Sequence, residues 1–260
     1  MQHGKAVAGP AADAPPSKDL VPAKPLVMRI GKRVQPWVNS VVARASAIGD
    51  PVFPDRSAFP WIETIEANWR DIAAEAAEVC RDPELIPPLA EISPDHRRIA
   101  PAGKWRSFFL SGYGYTVDEN VRRCPRTAQL VKRVPGLNSA LFSVLAPGTH
   151  IPLHTGVTKA FLTCHLGLVV PDRAEDCRMW VAGEPVTWTP GRAFVFDDCY
   201  PHEVRNDTDQ TRVVLLIQFR RPMRLVGRII GGLFLWGVKK SRFVQEARAG
   251  VMNWGKPPAA

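Results

Sequence analysis

From residue 139 onward the chain is a succession of short apolar runs, each closed by a proline or glycine turn. This pattern constrains the fold more than any other feature. The runs cover 140–145, 161–170, 178–182, 193–196 and 213–219, and the turns carry Pro147-Gly148, Pro171-Asp172, Gly183-Glu184 and Pro190-Gly191. Apolar runs this short, bounded by turn residues, read as strands. Many short strands in succession bury their apolar faces as a sandwich or barrel. Upstream the period changes. Ile62, Ile65, Trp69, Ile72, Ala76 and Val79 recur at helical spacing, which predicts a helix over 61–80. A weaker helical pattern covers 119–134 and ends before Pro135-Gly136. The expected architecture is a helical N-terminal half packed on a C-terminal jelly roll, with no internal repeat.

The boundaries follow from composition. Residues 1–25, rich in Ala, Pro and Lys, read as a disordered tail. Residues 26–60 hold a basic amphipathic segment and a Pro-rich linker, 61–223 the main domain, and 224–260 a basic and apolar extension. The net charge of +9 raises the question of an anionic partner. Eight basic residues against Glu246 alone over 221–260 supply most of it. The charge therefore belongs to an appendage, and no nucleic-acid partner is expected. Five cysteines, an odd count without a CxxC pair, argue against a disulfide framework or structural zinc and for a reducing compartment. The first 25 residues lack the apolar stretch of a secretory signal, so a cytoplasmic location is expected.

Four of the six histidines, His150, His154, His165 and His202, fall in the β region. His154 follows the Pro147-Gly148 turn, and His202 lies about fifty residues later. Metal-binding jelly rolls take one ligand early in the barrel and another from a facing strand, and imidazole suits iron, copper, nickel or zinc. The competing reading is a pair of ordinary polar residues at strand ends. A facial triad needs a carboxylate as well, and Gly156 stands two residues after His154.

The stretch from Phe142 through Ala146-Pro147-Gly148 to His154-Thr155-Gly156 resembles the metal-binding segment of the aspartyl/asparaginyl β-hydroxylase family. So do His165-Leu166-Gly167-Leu168 and the stretch from Phe194 through Asp197-Asp198 to His202, followed by Arg212. The likeness covers roughly 100–223, with Trp105 to Gly114 and Cys124-Pro125-Arg126-Thr127. It implies a double-stranded β-helix, cupin-like core and an iron(II)- and 2-oxoglutarate-dependent dioxygenase that uses O2 to hydroxylate an unactivated C–H bond. In that family two histidines suffice for iron, with Gly in the carboxylate's place. The resemblance makes His154 and His202 the ligands, Ser143 and Arg212 the holders of the distal carboxylate of 2-oxoglutarate, and His165 a support for its chelating end. It departs at Thr163, where the peptide hydroxylases carry an arginine.

The extension adds Leu225 to Val238, an apolar run interrupted by Arg228 and glycines and followed by Lys239-Lys240. It is too short to span a bilayer comfortably but suits a membrane interface, with Leu233, Phe234, Leu235 and Trp236 inserting. The alternative is a helix packed on the domain. The family includes bacterial hydroxylases of lipid acyl chains, so an acyl chain is the expected substrate, with peripheral contact at the inner face of the membrane. The alternatives are a peptidyl Asp/Asn β-hydroxylase, a cupin-like metal-binding module without 2-oxoglutarate turnover, and a membrane-recruited scaffold.

Overall fold

In a computed structural model of the chain, the described residues are 26–82, 86–93, 96–100, 103–112 and 114–254. The tail expected over 1–25 lies outside them. Among the described residues ten strands form two antiparallel sheets, and helices cover the outer face of the larger one. The strands are β1 (Trp105–Gly112), β2 (Tyr115–Thr116), β3 (Leu137–Leu145), β4 (Thr149–His154), β5 (Phe161–Val169), β6 (Cys177–Val181), β7 (Glu184–Thr187), β8 (Ala193–Phe196), β9 (His202–Asn206) and β10 (Arg212–Arg220). The larger sheet has the order β2-β1-β3-β10-β5-β8, and the smaller β4-β9-β6-β7. This is the expected mainly-β jelly roll with helices packed on it. The order is non-sequential because successive strands pass between the two sheets.

The central strands of the larger sheet are buried on both faces, which is why they read as continuous apolar runs rather than alternating ones. Alternation still decides which residue points where. In β10, Val213, Leu215, Ile217 and Phe219 meet the helices, in one core with Ile62, Ile65, Ile72, Phe108, Phe142, Leu162 and Cys164. The intervening Arg212, Leu216 and Gln218 face into the barrel, as do Ser139, Leu141 and Ser143 of β3 and Thr163 and His165 of β5. The second core lies between the sheets, where Leu145, Ile151, Met179, Trp188, Phe196, Val204 and Val214 pack together.

The helical segments differ from the sequence expectation in two places. The helix expected over 61–80 is two, α2 (Trp61–Ala67) and α3 (Trp69–Cys80). Asn68 breaks them, leaving helical geometry at ψ 15° while its amide donates to the Thr64 carbonyl at 2.8 Å. An Asn side chain that bonds local backbone competes with the helix. The weaker pattern over 119–134 resolves into α5 (Asp118–Arg123) and α6 (Pro125–Val131). Pro125 has no N–H to continue the first helix and suits the start of the second. Strands β1 and β2 also lie upstream of residue 139, so the larger sheet begins in what composition marks as the helical half.

Helix α1 (Leu26–Ala45) packs against α7 (Leu225–Lys240), and α8 (Arg242–Asn253) packs against α4 (Leu89–Ile92). Gly227 makes the first crossing close: a Cβ there would lie 2.7 Å from the Ala45 Cβ. The α7 period places Gly227, Gly231 and Leu235 inward, with Phe234 against the small core of Val38, Val42 and Ala160. Leu225, Val226, Ile229, Leu233 and Trp236 are left exposed. Of the four residues expected to insert into a membrane, Leu233 and Trp236 therefore face solvent, whereas Leu235 is buried and Phe234 partly buried. The extension packs on the domain through one face and keeps the other free. No helix among the described residues is long and apolar enough to cross a membrane.

Candidate metal and dicarboxylate site

The inward-facing residues of β1, β3, β5 and β10 line a cavity of ≈ 180 Å³ that the smaller sheet closes with His154 and His202. These two histidines are register partners on neighbouring antiparallel strands, β4 and β9. The facing-strand arrangement expected from sequence is thus replaced by adjacent strands of one sheet. The rings lie 4.0 Å apart between centroids. The ring Nδ1 of His154 lies 2.8 Å from the Pro152 carbonyl, and that of His202 lies 2.9 Å from the Tyr200 carbonyl. A carbonyl only accepts, so both Nδ1 atoms carry the proton and both Nε2 lone pairs are left for a metal. Burial, and for His154 also the charge of its neighbour His202, lowers both imidazoles below their ordinary value, His154 to about 4. Both rings are therefore neutral at neutral pH, the protonation state a ligand needs.

His165 has the opposite tautomer. The indole N–H of Trp188 donates to its Nδ1 at 3.3 Å, so the proton sits on Nε2. That Nε2 is buried without a partner. Burial, and next the Arg212 charge, hold the ring well below its ordinary value, so it is a neutral donor.

Arg212 opens β10 with its guanidinium inside the barrel, only 2% exposed. It lies over the Trp188 ring at 4.6 Å, and its Nη1 makes one long bond, 3.4 Å, to the Ser143 carbonyl. Its Nε has no partner, and no carboxylate among the described residues lies within salt-bridge distance. Burial lowers its pKa to about 10, so the cation persists at neutral pH. Ser143 is beside it, its hydroxyl accepting from the Trp105 indole at 3.1 Å. Native interiors rarely leave buried polar atoms unmatched. Here Ser107 Oγ, His165 Nε2 and Arg212 Nε are all unmatched and belong to residues lining the one cavity. The donor set fits a metal on the two Nε2 atoms and a small dicarboxylate between His165 and Arg212. His150, the remaining histidine of the β region, lies outside and pairs with Glu203 at 2.9 Å.

Sequence reasoning did not single out Asp198. It lines the same cavity, half-buried, and its Oδ2 accepts from Thr163 Oγ1 at 3.1 Å and from the Gln218 amide at 3.3 Å. Burial, and then the charge of Asp197, raise it to about 6. Only a glycine fits at 156 beside this carboxylate as it stands: a Cβ on Gly156 would sit 2.3 Å from Asp198 Oδ1. The signal was present in the pair Asp197-Asp198, but the two have different partners. Asp197 is fully buried and paired with Lys159 at 2.7 Å and with Arg221. Thr163, standing where the resemblance expects arginine, gives Asp198 a neutral donor in place of a cation.

Fold and cavity define a double-stranded β-helix protein whose histidine pair and buried, unpaired arginine share one chamber. The family model for aspartyl/asparaginyl beta-hydroxylase matches residues 66–222, and the chain belongs to that family. It is 34% identical over 220 residues to the ornithine lipid ester-linked acyl 2-hydroxylase of Rhizobium tropici, an alignment covering 85% of this chain and 78% of that protein. It is 29% identical over 166 residues to the aspartyl/asparaginyl beta-hydroxylase of Homo sapiens, covering 62% of this chain but 21% of the human protein. A Pseudomonas putida prolyl-4-hydroxylase structure aligns with TM-score 0.35 and 20% identity, over 59% of this chain and 87% of that one. The chain is thus a member of a hydroxylase family.

Proposed function

We propose that the protein is an iron(II)- and 2-oxoglutarate-dependent dioxygenase that hydroxylates an acyl chain of a membrane lipid. The observation that carries this reading is the set of unsatisfied groups lining one chamber: two imidazole Nε2 lone pairs, the His165 N–H, and the Arg212 cation without an acid partner. When bound, ferrous iron and 2-oxoglutarate supply the oxidising power, one oxygen atom of O2 entering the substrate as hydroxyl and the other ending in succinate, with loss of carbon dioxide. His154 and His202 hold the metal through Nε2. Arg212 and Ser143 hold the distal carboxylate, a paired charge-assisted contact that a guanidinium suits better than an ammonium. His165 donates its Nε2 proton to the chelating end. Trp188 sets the tautomer of His165 and covers the guanidinium, so one indole orients both contacts. Burial of Arg212, Ser143 and His165 strengthens each of their contacts.

The lipid substrate rests on the likeness to the ornithine lipid hydroxylase, which spans most of both chains. It is supported by the apolar face of α7, where Leu225, Val226, Ile229, Leu233 and Trp236 are exposed beside Arg224, Arg228 and Lys240. A helix face of this kind suits the interface of an anionic membrane, which supports a lipid substrate. The test is incubation of purified protein with ferrous iron, 2-oxoglutarate and ester-linked aminoacyl lipid, read as succinate and as a hydroxylated lipid 16 Da heavier. Succinate with hydroxylation of an Asp/Asn peptide and none of the lipid would assign the peptide reaction instead. Absence of 2-oxoglutarate turnover with retained metal binding would leave a metal-binding module.

A further inference from the structure

A second, smaller cavity adjoins the first and is lined by the C-terminal extension. Leu89 and Ile92 of α4, Phe109 of β1, Val117, and Val251 and Met252 of α8 form its walls. Leu89, His96 and Phe109 belong to the linings of both cavities, so these three residues form the boundary that the two share. The few polar side chains around it have partners of their own. Ser93 and His96 bond to each other at 2.6 Å. Tyr115 lies under the Arg248 guanidinium at 3.9 Å and the Lys239 ammonium at 4.6 Å. Gly250 brings α8 onto α4: a Cβ there would meet Ile92 backbone atoms at 3.0 Å. The α8 wall lies beyond residue 222, where the family match ends, whereas the histidines and Arg212 lie within it.

A hydroxylase that presents one carbon of a long chain to the metal must house the carbons beyond it in an apolar path leading away from the metal. We propose that this second cavity, ≈ 50 Å³ in volume, takes the few carbons of the substrate's alkyl chain that lie beyond Leu89 and Phe109, with α8 as the wall that decides which chains fit. The inference rests on the lipid reading above and assigns the C-terminal helix a part in selectivity that the shared catalytic domain does not supply.

The test uses the full-length, metal-loaded chain with 2-oxoglutarate, and cis-parinaric acid as a fluorescent eighteen-carbon probe. Wild-type protein should enhance its fluorescence. Val251→Trp and Met252→Trp, which fill the cavity, should weaken binding by about tenfold or more, with metal and 2-oxoglutarate affinity at the wild-type level. Met252→Ala, the milder change, should shift preference toward longer chains in a series of acyl probes. Glu184→Lys on the exposed strand β7 should leave probe binding unaltered. Undiminished binding in both tryptophan variants, or loss in the β7 variant alone, would overturn the proposal. If the probe binds and Val251→Trp excludes it while no lipid is hydroxylated, the alkyl-chain cavity stands and the lipid reaction falls. Circular dichroism screens each variant for folding, and Met252→Ala provides the deciding measurement should the larger substitutions unfold the chain.

Discussion

Replacing Arg212 by methionine should make the metal-free protein more stable while removing its affinity for 2-oxoglutarate. The guanidinium is 2% exposed and has no acid partner, so folding takes a cation out of water in return only for the Trp188 face, the long bond to the Ser143 carbonyl and the Cys177 contact. Its pKa falls from 12.5 to about 10, and each pKa unit corresponds to about 1.4 kcal/mol. The folded-state value lies below the unfolded one, so the penalty is present in full at every pH below about 10 and disappears only as the group loses its proton. Burial of the cation thus costs about 3 kcal/mol on this scale. Methionine fills much of the same volume without charge, and loses the cation–π contact, about 1–2 kcal/mol when desolvated. The expected net gain is about 1–2 kcal/mol, or about 2–4 °C in Tm per kcal/mol for a chain of this size. The assay is differential scanning calorimetry of the metal-free protein, paired with calorimetric titration of 2-oxoglutarate into the manganese-loaded form. Arg212→Lys, which keeps charge but not the planar fork, should weaken that binding by about 1.5–3 kcal/mol. A methionine variant that is less stable and still binds 2-oxoglutarate would refute the reasoning, because the arginine would then be structural.

His154→Ala and His202→Ala should each abolish ferrous iron binding, measured by metal analysis after gel filtration, while far-ultraviolet circular dichroism stays unchanged; full iron occupancy in either variant would remove it from the site. Gly156→Ala should displace the Asp198 carboxylate, since its Cβ would lie 2.3 Å from Oδ1, and cost about 1–3 kcal/mol in chemical denaturation as an overpacked site. Acidification should destabilise the metal-free protein between about pH 6.5 and 4, because His154, lowered to about 4, stays neutral in the fold while the unfolded chain takes up the proton. Asp198, raised to about 6, opposes this by binding its proton earlier in the folded state, so Asp198→Asn should make the loss on acidification steeper in urea titrations at stepped pH.

Much of the fold was legible in the primary structure, because the hydrophobic period is a local property. The short apolar runs after residue 139 became strands, and the family-like segments around His154, His165, His202 and Arg212 fell around one cavity. The exposed face of α7 was legible only in part, since sequence shows that Leu233 to Trp236 are apolar but not which of them α1 covers. Breaks at Asn68 and Cys124-Pro125 were written in residues whose effect depends on small local competitions, and the longer periodic pattern concealed them.

The sequence alone determined the residue types available to the chemistry: two well-spaced histidines, a third beside them, and an arginine opening an apolar strand. It also determined the period-2 alternation that sends Ser143, Thr163, His165, Arg212 and Gln218 to one face. Only the tertiary structure decided which atoms of those residues are free. The Nδ1 protons of His154 and His202 are fixed by carbonyls two residues away, whereas His165 carries its proton on Nε2 because Trp188, twenty-three residues distant, donates to its Nδ1. Asp198 meets Gly156 because the turn leading into β9 folds over the end of β4, and α8 lines the second cavity because it returns to α4 from the far end of the chain. Periodicity encodes the direction of a side chain relative to its own strand. Protonation, burial and the closing of a cavity depend on what other strands and helices bring against it, and those contacts join residues that no local pattern relates.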